Sequence, residues 1–98
     1  MSDQAKRTII SAASRPALPR QIKFRHDAAR DRWTILAPER VFTPDVIAVA
    51  VLQLCDGARS VEAIAAELAQ TYNAPKERIL ADVTTLLQAL ADKGVVAA

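Results

Sequence analysis

His26 is the only histidine and Cys55 the only cysteine in these 98 residues. Structural zinc sites are built mainly from Cys and His, and iron–sulfur clusters need several thiolates, so the chain lacks a set of soft ligands and no metal site is expected. A Cys–His nucleophilic pair requires a thiolate held against its base. Cys55 instead closes an apolar helical pattern, while His26 belongs to the charged run HDAARD. Cys55 therefore reads as structural. The carboxylates are scattered over helix surfaces, without the paired and desolvated setting that raises a pKa for acid–base work. The two glycines, Gly57 and Gly94, both fall at expected helix ends, which leaves none for a phosphate-cradling loop. The chain is expected to bind rather than catalyse, and to carry no cofactor.

A chain of this length makes one domain, burying roughly 60–70% of its unfolded surface. Its 51% hydrophobic content is rich in alanine and includes only four aromatics, Phe24, Trp33, Phe42 and Tyr72, so the core must be aliphatic. A lone cysteine makes no internal disulfide, and no apolar run approaches the ~18 residues of a membrane span, so a cytoplasmic location is expected. Residues 1–40 carry nine Lys/Arg against four acids, whereas residues 41–98 carry four against seven. This charge dipole either steers a charged partner toward the N-terminal half or is an ordinary solvated surface.

Residues 1–20 show no periodic apolar face and contain Ser11, Ser14, Pro16 and Pro19. They are expected to be a disordered tail or linker remnant, with the folded domain spanning 21–98. Alternation at Ile22–Arg25 and Trp33–Leu36 predicts two strands, and Arg40–Phe42 a third, shorter one after Pro38. Three helical patterns follow. Thr43 is placed to cap the first, with Pro44 at its first position, Asp45 complementing its dipole, and Ile47, Ala50, Val51 and Leu54 facing inward. Ser60 caps the second, whose inner face is Val61, Ile64, Ala65, Leu68 and Tyr72. Pro75 opens the third, which ends at Gly94 and turns Ile79, Val83, Leu86 and Leu90 inward. The expected class is α+β and winged-helix-like, with a three-stranded antiparallel sheet followed by a three-helix bundle.

The third helix carries more apolar surface than a bundle needs. Leu80, Leu87 and Ala91, with Thr84 among them, widen its stripe to one side by helical geometry. Either the domain's own sheet covers this second stripe, or a groove beside the third strand is left open for an extended segment. Trp33 and Phe42 read either as core or as stacking aromatics. Arg40–Phe42 would lie at a sheet edge, whose unpaired N–H and C=O groups an extended peptide can join. Winged helix-turn-helix proteins that read nucleic acid share this element order. In the third helix, however, Lys76, Arg78 and Lys93 are balanced by Glu77, Asp82 and Asp92, whereas phosphate binding calls for a basic surface.

Trp33–Leu36 with Pro38-Glu39, then Cys55-Asp56-Gly57, then Val61, Ile64, Leu68 and Tyr72, then Asp82-Val83, Leu86-Leu87, Leu90 and Gly94 resemble the PqqD family of pyrroloquinoline quinone biosynthesis. The likeness spans roughly residues 15–96; Thr43-Pro44 departs from it, since many relatives have a leucine-asparagine-like start to this helix. The resemblance implies a peptide chaperone, not an enzyme. Its precursor peptide PqqA would add a strand along the third strand, against the third helix, for presentation to the radical S-adenosylmethionine enzyme PqqE. The site expected from the sequence groove and the family together is Arg40, Val41, Phe42, Leu80, Val83, Thr84, Leu87 and Ala91, with no nucleic-acid or membrane partner. Fusion of some relatives to PqqC makes the first twenty residues a candidate linker remnant.

Overall fold

Two local devices turn the N-terminal strands into a meander. Strand β1 (Lys23–Asp27) ends at an aspartate whose Oδ1 accepts the backbone N–H groups of Ala29 and Arg30, at 3.1 and 3.3 Å. The chain then passes through Asp31 in the left-handed region and returns as β2 (Arg32–Ala37). An aspartate that organises the turn from its first position replaces the Asn-Gly signature the sequence lacks. Pro38 and Glu39 make the second turn into β3 (Arg40–Phe42), with Glu39 at φ 65°. Proline followed by a residue of positive φ is the pattern of a type II turn. The computed structural model describes residues 8–98 and orders the sheet β1-β2-β3, antiparallel throughout. Phe24 faces Ile35 on one side and Phe42 faces it on the other. All three therefore share the inner face, where Ile35 is 1% exposed.

Three helices close the core: α1 (Val46–Gln53), α2 (Val61–Tyr72) and α3 (Lys76–Asp92). The cap of α1 is Asp45, not Thr43: its Oδ1 accepts the Ala48 N–H at 2.8 Å, and the helix begins one residue later. Two capping residues flank Pro44, and the second holds the anionic acceptor that best suits a helix N-terminus. Ser60 caps α2 as expected, accepting from the Ala63 N–H, and Asn73 ends it in the left-handed conformation. Pro75 is the cap residue of α3 rather than its first turn, and Gly94, at φ 79°, ends that helix. Helix α1 is rotated relative to expectation: Ala48, Val51 and Leu52 are buried, and Val46 and Ile47 are exposed.

The expected disordered tail is corrected over residues 8–20; the remainder of that expectation, residues 1–7, lies outside the described residues. Ile10 and Pro16 are buried. Ala17 exchanges backbone hydrogen bonds with Ala97 at 2.8 Å in both directions, and Pro16 O accepts the Gly57 N–H. Further back, the carbonyls of Ala12 and Ser14 accept from Glu62 and Val61, two of the donors that open α2. The segment is irregular, with a turn at Ala12–Ala13, and is held by its backbone, so it needs no apolar periodicity to be fixed.

Candidate peptide-binding site

The candidate site begins at β3, which among the described residues pairs with β2 alone. Its other side is a sheet edge, three residues long and flanked by charge. Val41 points away from the core and is 66% exposed, whereas Phe42, opposite Ile35, is half-buried against it. Two cations sit over the Phe42 ring: the Arg40 guanidinium at 5.7 Å from its centroid and the Lys93 ammonium at 5.8 Å. Both lie within cation–π range. Lys93 follows α3 directly, so this contact brings the end of that helix to the edge strand.

Helix α3 presents its buried stripe through Val83, Leu87 and Leu90. Leu87 was expected on the flank facing an added strand, yet it is 0% exposed and belongs to the core; Leu86, expected to point inward, is half-buried. The true centre of the stripe is therefore rotated toward Leu87, and each side of it becomes a flank. On one flank lie Leu80, Thr84, Gln88 and Ala91. Gln88 ties this flank to the N-terminal segment, accepting the Ile10 N–H at 2.9 Å and donating to the Thr8 carbonyl at 2.9 Å. Thr84 turns its hydroxyl back on its own helix, to Leu80 O at 2.7 Å. The stripe that the sequence left open to an outside strand is thus the side of α3 that Thr8 and Ile10 approach through Gln88.

The opposite flank is open. Ile79, Asp82 and Leu86 line a cleft of about 370 Å³, together with Val83 of α3, Leu68 and Tyr72 of α2, and Asp45, Ile47, Ala50 and Val51 of the α1 region. Ile47 is 52% and Tyr72 45% exposed, although both are apolar enough to have been expected inside. Asp45 lies three residues beyond β3, so the chain that leaves the edge strand reaches the rim of the cleft, although Arg40, Val41 and Phe42 do not line it. Of the expected site residues, Arg40, Val41 and Phe42 form the edge, and Val83 lines the floor of the cleft. Leu80, Thr84, Leu87 and Ala91 do not line it. The cleft brings in Ile47, Tyr72, Ile79, Asp82 and Leu86, which the sequence reading did not place in a groove; the surplus apolar width of α3 was the available signal.

A family model described as Coenzyme PQQ synthesis protein D (PqqD) matches residues 32–96, from the start of β2 past the end of α3. The chain belongs to the PqqD family. A PqqA binding protein of Rhodopseudomonas palustris strain BisB5 is 62% identical over 85 residues, covering 87% of this chain and 83% of that one. The solution NMR structure of the PqqD truncation of Methylobacterium extorquens PqqCD superposes with a TM-score of 0.80 at 43% identity, covering 95% of this chain and 99% of that one. That truncation is described as a functional, stand-alone recognition element for ribosomally synthesized and post-translationally modified peptides. The bifunctional coenzyme PQQ synthesis protein C/D of Methylorubrum extorquens is 45% identical over 91 residues, which are 93% of this chain and 24% of that protein. A PqqD unit thus occurs both alone and within a longer chain.

Among the described residues, Cys55 is buried in the core and His26 lies on the exposed hairpin. Burial pushes the Cys55 thiol up to about 12, and the neighbouring Asp56 carboxylate adds to the shift. That thiol donates to Val51 O at 3.3 Å, inside the core. His26 contacts Asp31 at 3.2 Å on the exposed hairpin, beside the Phe24–Trp33 stack. Among the described residues, no three His, Cys, Asp or Glu side chains come together as metal ligands, and no helix is long and apolar enough to cross a membrane.

Proposed function

We propose that this chain is a cytoplasmic, non-catalytic peptide chaperone that binds PqqA as a strand added to β3 and presents it to PqqE. The observation that carries this reading is the unpaired edge of Arg40–Phe42 opening beside an apolar cleft. Backbone pairing on an edge gives affinity that tolerates sequence, and pockets for alternate side chains select the register. Here Val41 and Phe42 offer the edge, and Ile47, Tyr72, Ile79 and Leu86 offer the pocket. Relatives named for PqqA binding support the choice of peptide.

Titration with synthetic PqqA, followed by amide shifts, tests the binding. Shifts should concentrate at residues 40–47 and along the Ile79–Leu86 flank of α3. A response confined to the β1–β2 hairpin, or none at saturation, would rule out strand addition here. Presentation is tested separately: purified PqqE should cross-link PqqA faster with this chain present, and Val41→Pro should remove the gain by blocking an edge N–H.

A further inference from the structure

The groove has opposite charges at its two ends, and this polarity has an observable consequence for any peptide lying in it. At one end Arg40 and Lys93 converge on the Phe42 ring. At the other, Asp45 and Asp82 rim the apolar cleft. Asp82 is exposed and makes no ion pair among the described residues. Asp45 commits Oδ1 to the Ala48 N–H and leaves its second oxygen for solvent or ligand. Asp92, the acidic neighbour of Lys93, takes a bond from Gln88 on the far flank of α3. Among the described residues, neither Arg40 nor Lys93 forms an ion pair.

We propose that these two charged ends fix the direction in which the peptide lies, with Asp82 and Asp45 reading a cationic residue and Lys93 and Arg40 reading an acidic one. The inference rests on strand addition to β3 and deepens it. Antiparallel pairing is the more stable arrangement per residue. An antiparallel strand places its N-terminal end beside the chain leaving β3, at Asp45. The cation consequently precedes the acid in the bound peptide, with a large apolar side chain between them for the cleft. Lys93 and Asp82 are about 16 Å apart along the helix axis, and Phe42 and Asp45 are at most about 10 Å apart along the chain. Three to five extended residues, at about 3.3 Å each, span that interval.

Double-mutant cycles between the protein and synthetic PqqA decide the matter. Asp82→Asn is combined with neutralisation of each Lys or Arg of the peptide in turn, and Lys93→Gln with neutralisation of each Asp or Glu. One cation should couple to Asp82 and not to Lys93, and one acid to Lys93, each by about two- to fivefold in Kd at low salt, with the coupled cation on the N-terminal side. Exposed single-charge changes leave thermal unfolding unchanged, so a loss of coupling is not a loss of fold. If wild-type protein binds PqqA on β3 but no cation couples to Asp82, or the coupled cation follows the acid, the charge reading is overturned and strand addition stands. If the wild type does not bind at all, both readings fall.

Discussion

The two flanks of α3 start from similar material and meet different neighbours. Leu80, Thr84, Gln88 and Ala91 lie on the side that the N-terminal segment approaches, where Gln88 holds both Thr8 and Ile10. Ile79, Asp82 and Leu86 lie on the side where α1 and α2 stand back and leave a cleft. What distinguishes the flanks is not hydrophobicity but the presence of a neighbouring segment that supplies backbone hydrogen bonds. One flank has that neighbour in its own chain. The other, in the proposed function, obtains it from a peptide. The same solution, a non-helical segment laid against a helix, then appears twice in one small domain, once permanent and once exchangeable.

The largest expected effect tests where the boundary between the flanks runs. Leu87→Asp places a carboxylate at a site with no exposure. Burial of an unpaired charge on top of lost apolar contact should cost at least 3–5 kcal/mol, by the order-of-magnitude range for such changes, and leave the domain unfolded. Circular dichroism and urea titration check this. A folded Leu87→Asp variant with weakened peptide binding would move the groove back to the flank first expected from the sequence.

The burial of Leu87 shows what sequence could and could not convey. Alternation at Phe24 and at Trp33–Ile35, Pro38 before a short apolar strand, and Ser60 ahead of Val61 each specify an element by local chemistry, and each element stands where expected. The width of the α3 stripe was also legible. Its centre was not, because apolar residues at Ile79, Leu80, Val83, Leu86, Leu87 and Leu90 cover so much of the helix that periodicity leaves several rotations open. Helix α1 fails for the same reason: VIAVAVLQ offers almost no polar contrast, so the buried face lay one residue from expectation. The segment from Thr8 to Pro19 was illegible for a different reason, since an irregular stretch fixed by backbone bonds leaves no pattern in side-chain type.

A smaller effect sharpens the open flank. Ile47 is half-exposed in the free protein, so Ile47→Ala should cost little stability, under about 1 kcal/mol. If a peptide covers the remaining surface, the same change should weaken PqqA binding by about 1 kcal/mol, roughly fivefold in Kd, measured by calorimetry. Ala91→Ser, on the covered flank, serves as the control and should leave binding unchanged. Equal effects of the two substitutions would erase the distinction between the flanks.

On the covered side, Gln88→Ala removes both bonds to the N-terminal segment and should lower stability by about 1–2 kcal/mol without changing PqqA affinity. Hydrogen exchange should then quicken at Ile10, whose N–H loses its acceptor, and at Val61 and Glu62, whose acceptors are Ser14 and Ala12 of the same segment. Fast exchange at these positions in the wild type would mean that the segment is not a fixed neighbour of α3, and the contrast with the cleft would collapse.

The smallest effect at neutral pH comes from Cys55, a reporter within the covered half. Asp56, next to it, bridges to Ala17 of the N-terminal segment, and Cys55 joins Ile10 in one core cluster. Its thiol pKa is raised from 9.0 to about 12, chiefly by burial. A raised folded-state pKa means that the native state holds the proton more tightly than the unfolded state. The resulting stability is complete below pH 9 and is lost as pH climbs from 9 toward 12. Cys55→Ala should therefore leave a flatter alkaline limb in a plot of stability against pH while behaving like wild type in shape between pH 6 and about 8. Alkylation by iodoacetamide at pH 8 should be slow in the native protein, and Gln88→Ala should speed it by loosening the segment above it. If the peptide enters from the other flank, as proposed, saturating PqqA should not speed it. If PqqA accelerates alkylation as much as Gln88→Ala does, the peptide displaces the N-terminal segment and the two sides of α3 are a single site.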